Sequence, residues 1–167
     1  VHKKGDHAAG RFDARPLLAP ALEGHDMGLL SEAGMPAVAD PGSSVVRAAH
    51  DLGVTVVPLV GPVSVLLALA ASGLNGQSFA FVGYLPQDAA ARGTRLRELE
   101  ALSRKAGQTQ IVIETPYRNG ALLATMLEVL APTTRLAVSC GLTLPEAFNR
   151  SARVADCSCR TPVTQAL

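Results

Sequence analysis

The sequence predicts an α/β fold made of two small lobes, each with buried strands and covering helices. Short β-rich runs alternate with helical patterns, which is the sequence form of a β-α-β unit. Turns rich in Gly, Pro and Ser follow the first two strand-like runs, where such units form their binding crevice. The 167 residues are 48% hydrophobic and 17% charged, which provides enough apolar material for a core and excludes a disordered chain.

The first lobe is predicted over residues 1–74 as a partial N-terminal lobe. Residues 1–15 have no periodicity and are expected to form a loop. Asp40 is expected to cap the second helix, and Gly53 to end it. The predicted elements are a short helix at 16–22, a buried strand at 27–30, a helix beginning within 40–44, a strand buried on both faces at 54–59, and a small-residue helix ending at Ser72.

The second lobe is predicted over residues 75–167, because the Gly-rich segment 73–77 follows a helix and is the best candidate boundary. After about Leu144 the pattern dissolves, so the tail is expected to be loose or to pair only as an edge. We also expect this lobe to be incomplete. Its predicted elements are strands at 78–82, 110–114 and 135–139 and helices at 90–105 and 116–129.

Charge, cysteine content and hydropathy exclude several classes of function. A net charge of +1 gives no nucleic-acid signal from totals, although a local basic face is compatible with it. The run 54–74 has no charge, but its Pro and Gly residues favour a strand, a loop and a buried helix over a membrane span. Three cysteines without zinc-finger spacing predict neither disulfides nor a metal site, and favour a reduced cytoplasmic setting.

Two small-residue turns are the strongest candidate binding site. The segment SEAGMP places Gly34 directly after the first predicted strand, and PLVGPVS follows the next one. Adjacent turns of this kind hold an adenosine-sized ligand through backbone groups and apolar side chains. Neither turn has the lysine of a phosphate loop or dinucleotide-type glycine spacing, which argues against a triphosphate or pyrophosphate ligand. Taken alone, the first turn is better described as an ordinary tight turn, and the second turn gives the binding interpretation its weight.

A third candidate lies where the strand ending in Glu114 meets a helix that begins with Pro116. Glu114 is able to serve as a general base, bind a ribose hydroxyl or cap the helix, and capping is the commonest of these roles. Tyr117 and Arg118 offer a stacking face and a charge to nucleic acid, with a solvated arginine as the alternative. Glu32 has no evident structural role and is the other weak candidate for catalysis.

The four segments SEAGMPAVADPGSSVVRAA, VVPLVGPVSVLLALAASGL, FVGYLP and IETPYR occur in an order that resembles the tetrapyrrole methylase superfamily. The resemblance is closest to its small-subunit ribosomal RNA methyltransferase I branch and extends over about residues 28–143. It implies two α/β lobes with S-adenosylmethionine in the cleft between them. It also implies methyl transfer to a cytidine ribose 2′-hydroxyl of ribosomal RNA, and a homodimer.

The resemblance further implies which residues hold the cofactor. The first turn would hold its methionine part, the second turn would form another cofactor loop, and two residues of the second lobe would form its wall. The implied cofactor-binding residues are Ala33, Gly34, Met35, Val38, Val63, Ser64, Glu114 and Leu142.

Some features depart from the family pattern. Nothing in residues 1–30 matches the family's first strand and Pro- and Gly-containing loop, so the chain is expected to be a truncated or divergent member lacking that strand-loop. Ile113 also replaces an aromatic residue. Two alternatives therefore remain beside the ribosomal RNA methyltransferase: a tetrapyrrole methyltransferase acting on a porphyrin or corrin, and a non-catalytic remnant that serves as a dimerisation module.

Overall fold

The computed structural model describes residues 12–157. The chain divides into two compact units, and the boundary lies between Val63 and Ser64. The boundary predicted at residues 74 and 75 falls after the next helix. That helix packs on strands of the second unit, which explains why it groups with them.

The first unit has a small helical core. A 3₁₀ turn at Arg15–Leu18 leads into α1 (Ala19–Leu22), and α2 follows at Ser43–Asp51. Both helices of the sequence prediction are therefore confirmed. The buried residues of this core are Ala14, Leu18, Ala48 and Ala49, with Val45, Leu52 and Val54 packed against them.

The helix cap predicted at Asp40 is wrong. Helix α2 begins at Ser43, within the predicted range, but Gly42 occupies the N-cap position with φ of 137° and no side-chain cap. The predicted end of this helix at Gly53 is confirmed, because Gly53 follows the helix with φ of 72°. A positive φ at both ends favours glycine at each of these positions.

The two buried strands predicted in the first unit are also wrong. Residues 27–30 and 54–59 have no strand structure, and most of their side chains are exposed; Leu30 is 90% and Leu59 is 79% exposed. A parallel strand is stable only beside a neighbour that completes its hydrogen bonds and under layers that cover its faces. The described residues 12–63 contain no strand that provides this neighbour.

The second unit has the mixed α/β structure that the sequence predicts. Strands β1 (Phe79–Gly83) and β2 (Thr109–Val112) pair in parallel, while β3 (Arg135–Cys140) and β4 (Phe148–Arg153) pair antiparallel. The helices are α3 (Ser64–Ser72), α4 (Ala89–Ala106) and α5 (Asn119–Val129), the last preceded by a 3₁₀ turn at Pro116–Arg118.

Helix α4 begins and ends at local sequence signals. Asp88 caps α4 by accepting a hydrogen bond from the Ala91 amide at 2.8 Å, and Gly107 ends it with φ of 60°. One face of α4 packs on α5 and on β2. The buried core is Leu85, Leu96, Leu99, Leu122 and Met126.

The segment after Leu144 is more ordered than a loose tail. Strand β4 pairs with β3 over six residues, from Arg135 opposite Arg153 to Cys140 opposite Phe148. Asn149 also donates from Nδ2 to the Ala71 carbonyl of α3 at 2.9 Å. Within residues 12–157, no helix combines the length and apolar character needed to cross a bilayer.

Candidate functional site

The first predicted turn is built around Gly34. Ser31 Oγ donates to the Ala33 carbonyl at 2.9 Å and accepts from the Ala33 amide at 3.4 Å, which closes a local turn. Gly34 then takes φ of 76°, a left-handed conformation that disfavours residues with a side chain. Ala33 and Gly34 are exposed and Met35 is half-buried, so backbone groups of the turn face solvent.

The loop that follows contains two alanines in the left-handed region. Ala37 has φ of 65° and Ala39 has φ of 57°, and each such residue costs roughly 1–2 kcal/mol. The Ala37 amide donates to the Pro41 carbonyl at 3.2 Å, which closes the loop. A side chain at Gly42 would be crowded, since its Cβ would lie 3.0 Å from Leu29 Cδ2 and 3.3 Å from the Ala37 nitrogen. Strain of this kind concentrates at functional sites.

The second predicted turn lies beside the first. A Cβ built on Gly34 would be 4.0 Å from the Pro62 carbonyl oxygen, and both residues belong to the first unit. Gly61 and Pro62 are exposed, and Val63 is half-buried. Two stretches of uncovered backbone therefore lie close together, and a Cβ at Gly34 would reach ordinary van der Waals contact with the second stretch.

The implied cofactor residues are divided between the two units. The first unit contains Ala33, Gly34, Met35, Val38 and Val63. The second contains Ser64 at the first position of α3, Glu114 beyond β2, and Leu142, which is half-buried after a left-handed Gly141.

Glu114 is the centre of a partly buried polar cluster. Its side chain is only 3% exposed, and Oε2 lies 2.9 Å from Nη2 of Arg118, whose side chain is 17% exposed. Oε1 accepts from the Thr115 amide at 2.8 Å. No described group makes an aligned hydrogen bond to Oε2, so the contact with Arg118 is an ion pair at hydrogen-bond distance.

Arg118 is therefore occupied within the protein. Besides Glu114, it donates from Nη2 to the Leu85 carbonyl at 3.2 Å, which ties the segment after β1 to the segment after β2. The solvated arginine considered from the sequence is wrong. Tyr117 is 81% exposed and Tyr84 is also exposed, so the two tyrosines follow neighbouring strands and remain available for stacking.

Glu32 is exposed and makes no hydrogen bond or ion pair with any of the described residues. Among residues 12–157 there is no group of three His, Cys, Asp or Glu side chains arranged to hold a metal ion. Cys159, one member of the sequence's Cys-x-Cys pair, lies outside the described residues, while Cys140 and Cys157 are free thiols.

Sequence reasoning missed two features of these elements. The strained conformations of Ala37 and Ala39 have no signal in the sequence, because alanine is not a residue that marks left-handed backbone. The ion pair of Glu114 and Arg118 does have a signal in the sequence, since their four-residue spacing is that of side-chain pairs on a helical turn.

Comparison with known proteins gives a consistent result. A model of the family "Tetrapyrrole (Corrin/Porphyrin) Methylases" matches residues 3–154. Two relatives carry the name "Ribosomal RNA small subunit methyltransferase I". The one from Mesorhizobium japonicum is 41% identical over 139 residues, which is 83% of this chain and 45% of the relative. The one from Vibrio cholerae is 43% identical over 117 residues, which is 70% of this chain and 39% of the relative.

The chain thus spans less than half the length of these relatives. Among solved structures, it is similar to the methyltransferase CobJ with a TM-score of 0.57 and 20% sequence identity. The match covers 95% of this chain and 69% of CobJ. At that identity the similarity establishes the fold alone.

Proposed function

Because the chain belongs to the tetrapyrrole (corrin/porphyrin) methylase family, we propose that it is part of an S-adenosylmethionine-dependent methyltransferase. Its acceptor is small-subunit ribosomal RNA, at the ribose 2′-hydroxyl of a cytidine. The observation that carries the choice of RNA is the identity of about 40% with ribosomal RNA methyltransferases over most of this chain. The site of action would be the cytoplasm.

The residues of the first unit fit an adenosyl sulfonium ligand. Gly34 leaves a space that any Cβ would narrow, and the Pro62 carbonyl beside it is an acceptor with partial negative charge. Ala33, Met35, Val38 and Val63 add small or apolar surface, and no lysine or arginine lies in either turn. We also assign Ser64, Glu114 and Leu142 of the second unit to cofactor binding, as the family resemblance implies.

Bound S-adenosylmethionine supplies a methyl group on a positively charged sulfur. The protein must align the acceptor hydroxyl with that methyl group and accept the hydroxyl proton. Glu114 is a poor base because its carboxylate already contacts Thr115 and Arg118. We assign it to the cofactor wall. Glu32 is an exposed carboxylate in the first turn with no partner among the described residues, and it is our candidate base.

Calorimetry with S-adenosylmethionine tests the cofactor. We expect the 167-residue chain to bind it, and Gly34→Arg to abolish binding by filling the gap beside Pro62. Gly53→Arg is the matched control, because Gly53 has φ of 72° and open space around its Cβ position. The control carries the same backbone penalty and charge, so it should bind normally. No binding at millimolar ligand, or equal affinity in both variants, would overturn this site.

Methyl transfer to undermethylated small ribosomal subunits tests the acceptor. Label should appear on one cytidine ribose, and Glu32→Gln should slow its incorporation while binding of S-adenosylmethionine is unchanged. Methylation of a porphyrin or corrin instead would support the tetrapyrrole alternative. Cofactor binding without any transfer would support a non-catalytic remnant acting as a dimerisation module. The proposal includes a homodimer. Analytical ultracentrifugation, which gives the mass of the species in solution, tests it.

A further inference from the structure

Two arginines lie directly opposite each other in the β3–β4 pair. Arg135 is the ladder partner of Arg153 at the end of the sheet, and both residues are exposed. Directly opposed residues point to the same face with their Cβ atoms about 5 Å apart, so like charges there destabilise the sheet. The arrangement is unfavourable unless something negative compensates it.

Residues 12–157 provide no such compensation. Neither Arg135 nor Arg153 has a hydrogen-bond or ion-pair partner among the described residues. A third arginine approaches the same end of the sheet, because Arg104 of α4 donates to Thr134 Oγ1 at 3.2 Å, next to Arg135. Its side chain is 56% exposed. We call Arg104, Arg135 and Arg153 the arginine cluster.

The carboxylate beside this cluster is already engaged. Glu100 is 12% exposed, and its Oε1 accepts from the Ala131 amide at 2.8 Å, from Thr134 Oγ1 and from Arg104 Nη2. These bonds hold the turn between α5 and β3. Glu100 therefore offsets part of the charge of Arg104 and leaves the two sheet arginines uncompensated.

A whole-chain net charge of only +1 makes this cluster a local feature and not part of a general basic surface. Elsewhere on α4 the exposed Arg95 pairs with Glu98 at 2.9 Å. Guanidinium groups bind phosphate oxygens in a planar, two-pronged geometry and are weakly hydrated, which suits an RNA backbone. A phosphodiester chain carries repeated charges, so neighbouring arginines can bind neighbouring phosphates.

We propose that the arginine cluster binds phosphate groups of the RNA acceptor. This rests on the proposed function for the choice of RNA, but its structural basis is independent of the cofactor turns. It assigns to the second unit a contact that positions the strand and does not read its sequence.

Fluorescence anisotropy with a labelled single-stranded oligoribonucleotide tests the proposal. Arg135→Gln and Arg153→Gln should each weaken binding about fivefold at ~0.1 M salt and lower the salt slope by about 0.7, the value for one lost phosphate contact. Arg95→Gln removes the same charge from a paired position and should change binding less than twofold. Unchanged affinity and slope in both sheet variants would overturn the proposal.

A charge reversal separates binding from a structural role. Arg153→Glu creates an opposite-charge pair with Arg135, so the melting temperature should rise by about 1–3 °C while RNA affinity falls more than tenfold. If Arg153 were purely structural, the melting temperature and the RNA affinity of Arg153→Glu would change in the same direction. That result would contradict the proposal. Calorimetry with S-adenosylmethionine on the same variants should be unchanged. If the wild-type chain binds cofactor but no RNA, the cluster proposal fails while the methyltransferase assignment stands.

Discussion

Glu114 and Arg118 are at once a candidate cofactor-wall residue and a structural pair. The carboxylate is almost fully buried, and the guanidinium that neutralises it also holds the Leu85 carbonyl. Removing one partner of a buried ion pair leaves an uncompensated charge, whereas replacing both is often nearly neutral. The pair therefore stabilises the sheet edge mainly because Arg118 compensates the buried charge of Glu114.

Arg118→Met should lower the free energy of unfolding of the second unit by about 3 kcal/mol, because Glu114 loses its counter-charge. The double variant Glu114→Gln/Arg118→Met should recover most of this loss. Urea denaturation followed by circular dichroism measures both. Equal destabilisation in the single and double variants would show that the ion pair is not the cause.

Ala39→Gly should stabilise the first unit by about 0.5 kcal/mol, because relief of a left-handed alanine exceeds the entropy cost of a new glycine. Ala101→Gly is the opposite control. It lies exposed within α4, and glycine there should cost about 1 kcal/mol. Thermal melts of the two variants should thus shift in opposite directions, and a loss of stability in both would contradict the strained loop.

The roles of single residues were predictable where they depend only on neighbours in the sequence. Gly34 and Gly53 follow from turn chemistry, and both take the positive φ that it demands. Asp40 was predicted to cap a helix and does not, because Gly42 lies closer to the first helical turn. Arg118 shows the limit: it donates a hydrogen bond to the Leu85 carbonyl, more than thirty residues away, and no local pattern reveals that contact.

At the scale of the elements, Glu100 connects a helix to the turn that starts a strand. One carboxylate oxygen of α4 accepts from the amide of Ala131 and the hydroxyl of Thr134. Both groups belong to the link between α5 and β3. This helix therefore fixes the entry of the strand that carries one of the sheet arginines.

Glu100→Ala should destabilise the second unit by about 2 kcal/mol, because a partly buried amide and hydroxyl lose their acceptor. Glu98→Ala is the matched control on the same helix. Its partner Arg95 is exposed, so the change should be within about 0.5 kcal/mol. Chemical denaturation of both proteins tests this, and equal effects would mean that the turn is held by other contacts.

Helices were predicted more accurately than strands, for a physical reason. A helix is specified by its own periodicity and by caps such as Asp88 and Gly107, all within a few residues. A strand needs a partner that the local sequence does not contain. β1 and β2 have each other, whereas the equally β-rich segment 54–59 has no strand partner among the described residues.

For the molecule as a whole, the main feature is apolar surface in the first unit. Many of its large exposed side chains fall in two segments, 27–30 and 54–59, which the sequence predicts to be buried. Clustered exposure on this scale marks an interaction surface or promotes aggregation. The fold class was predictable from composition and pattern. Whether the apolar side chains of these two segments are buried was not predictable, because burial depends on neighbours outside each segment.

Val57→Lys combined with Leu59→Lys should reduce self-association of the chain and lower its binding of a hydrophobic dye. Both side chains are exposed, so the melting temperature should change by less than about 2 °C. Light scattering and dye fluorescence against protein concentration are the measurements. A large drop in melting temperature would show that these side chains are packed in solution.

Among the described residues 12–157, each sheet has two strands, so each strand is hydrogen-bonded along one flank. Amide deuterium uptake should consequently alternate along β3 and β4: positions whose N–H points across the ladder are shielded, and the intervening ones exchange within seconds. Any additional strand that docked on an outer flank would abolish the alternation on the strand it joined. Residue-resolved exchange by NMR would then locate the docking flank without a structure of the complex.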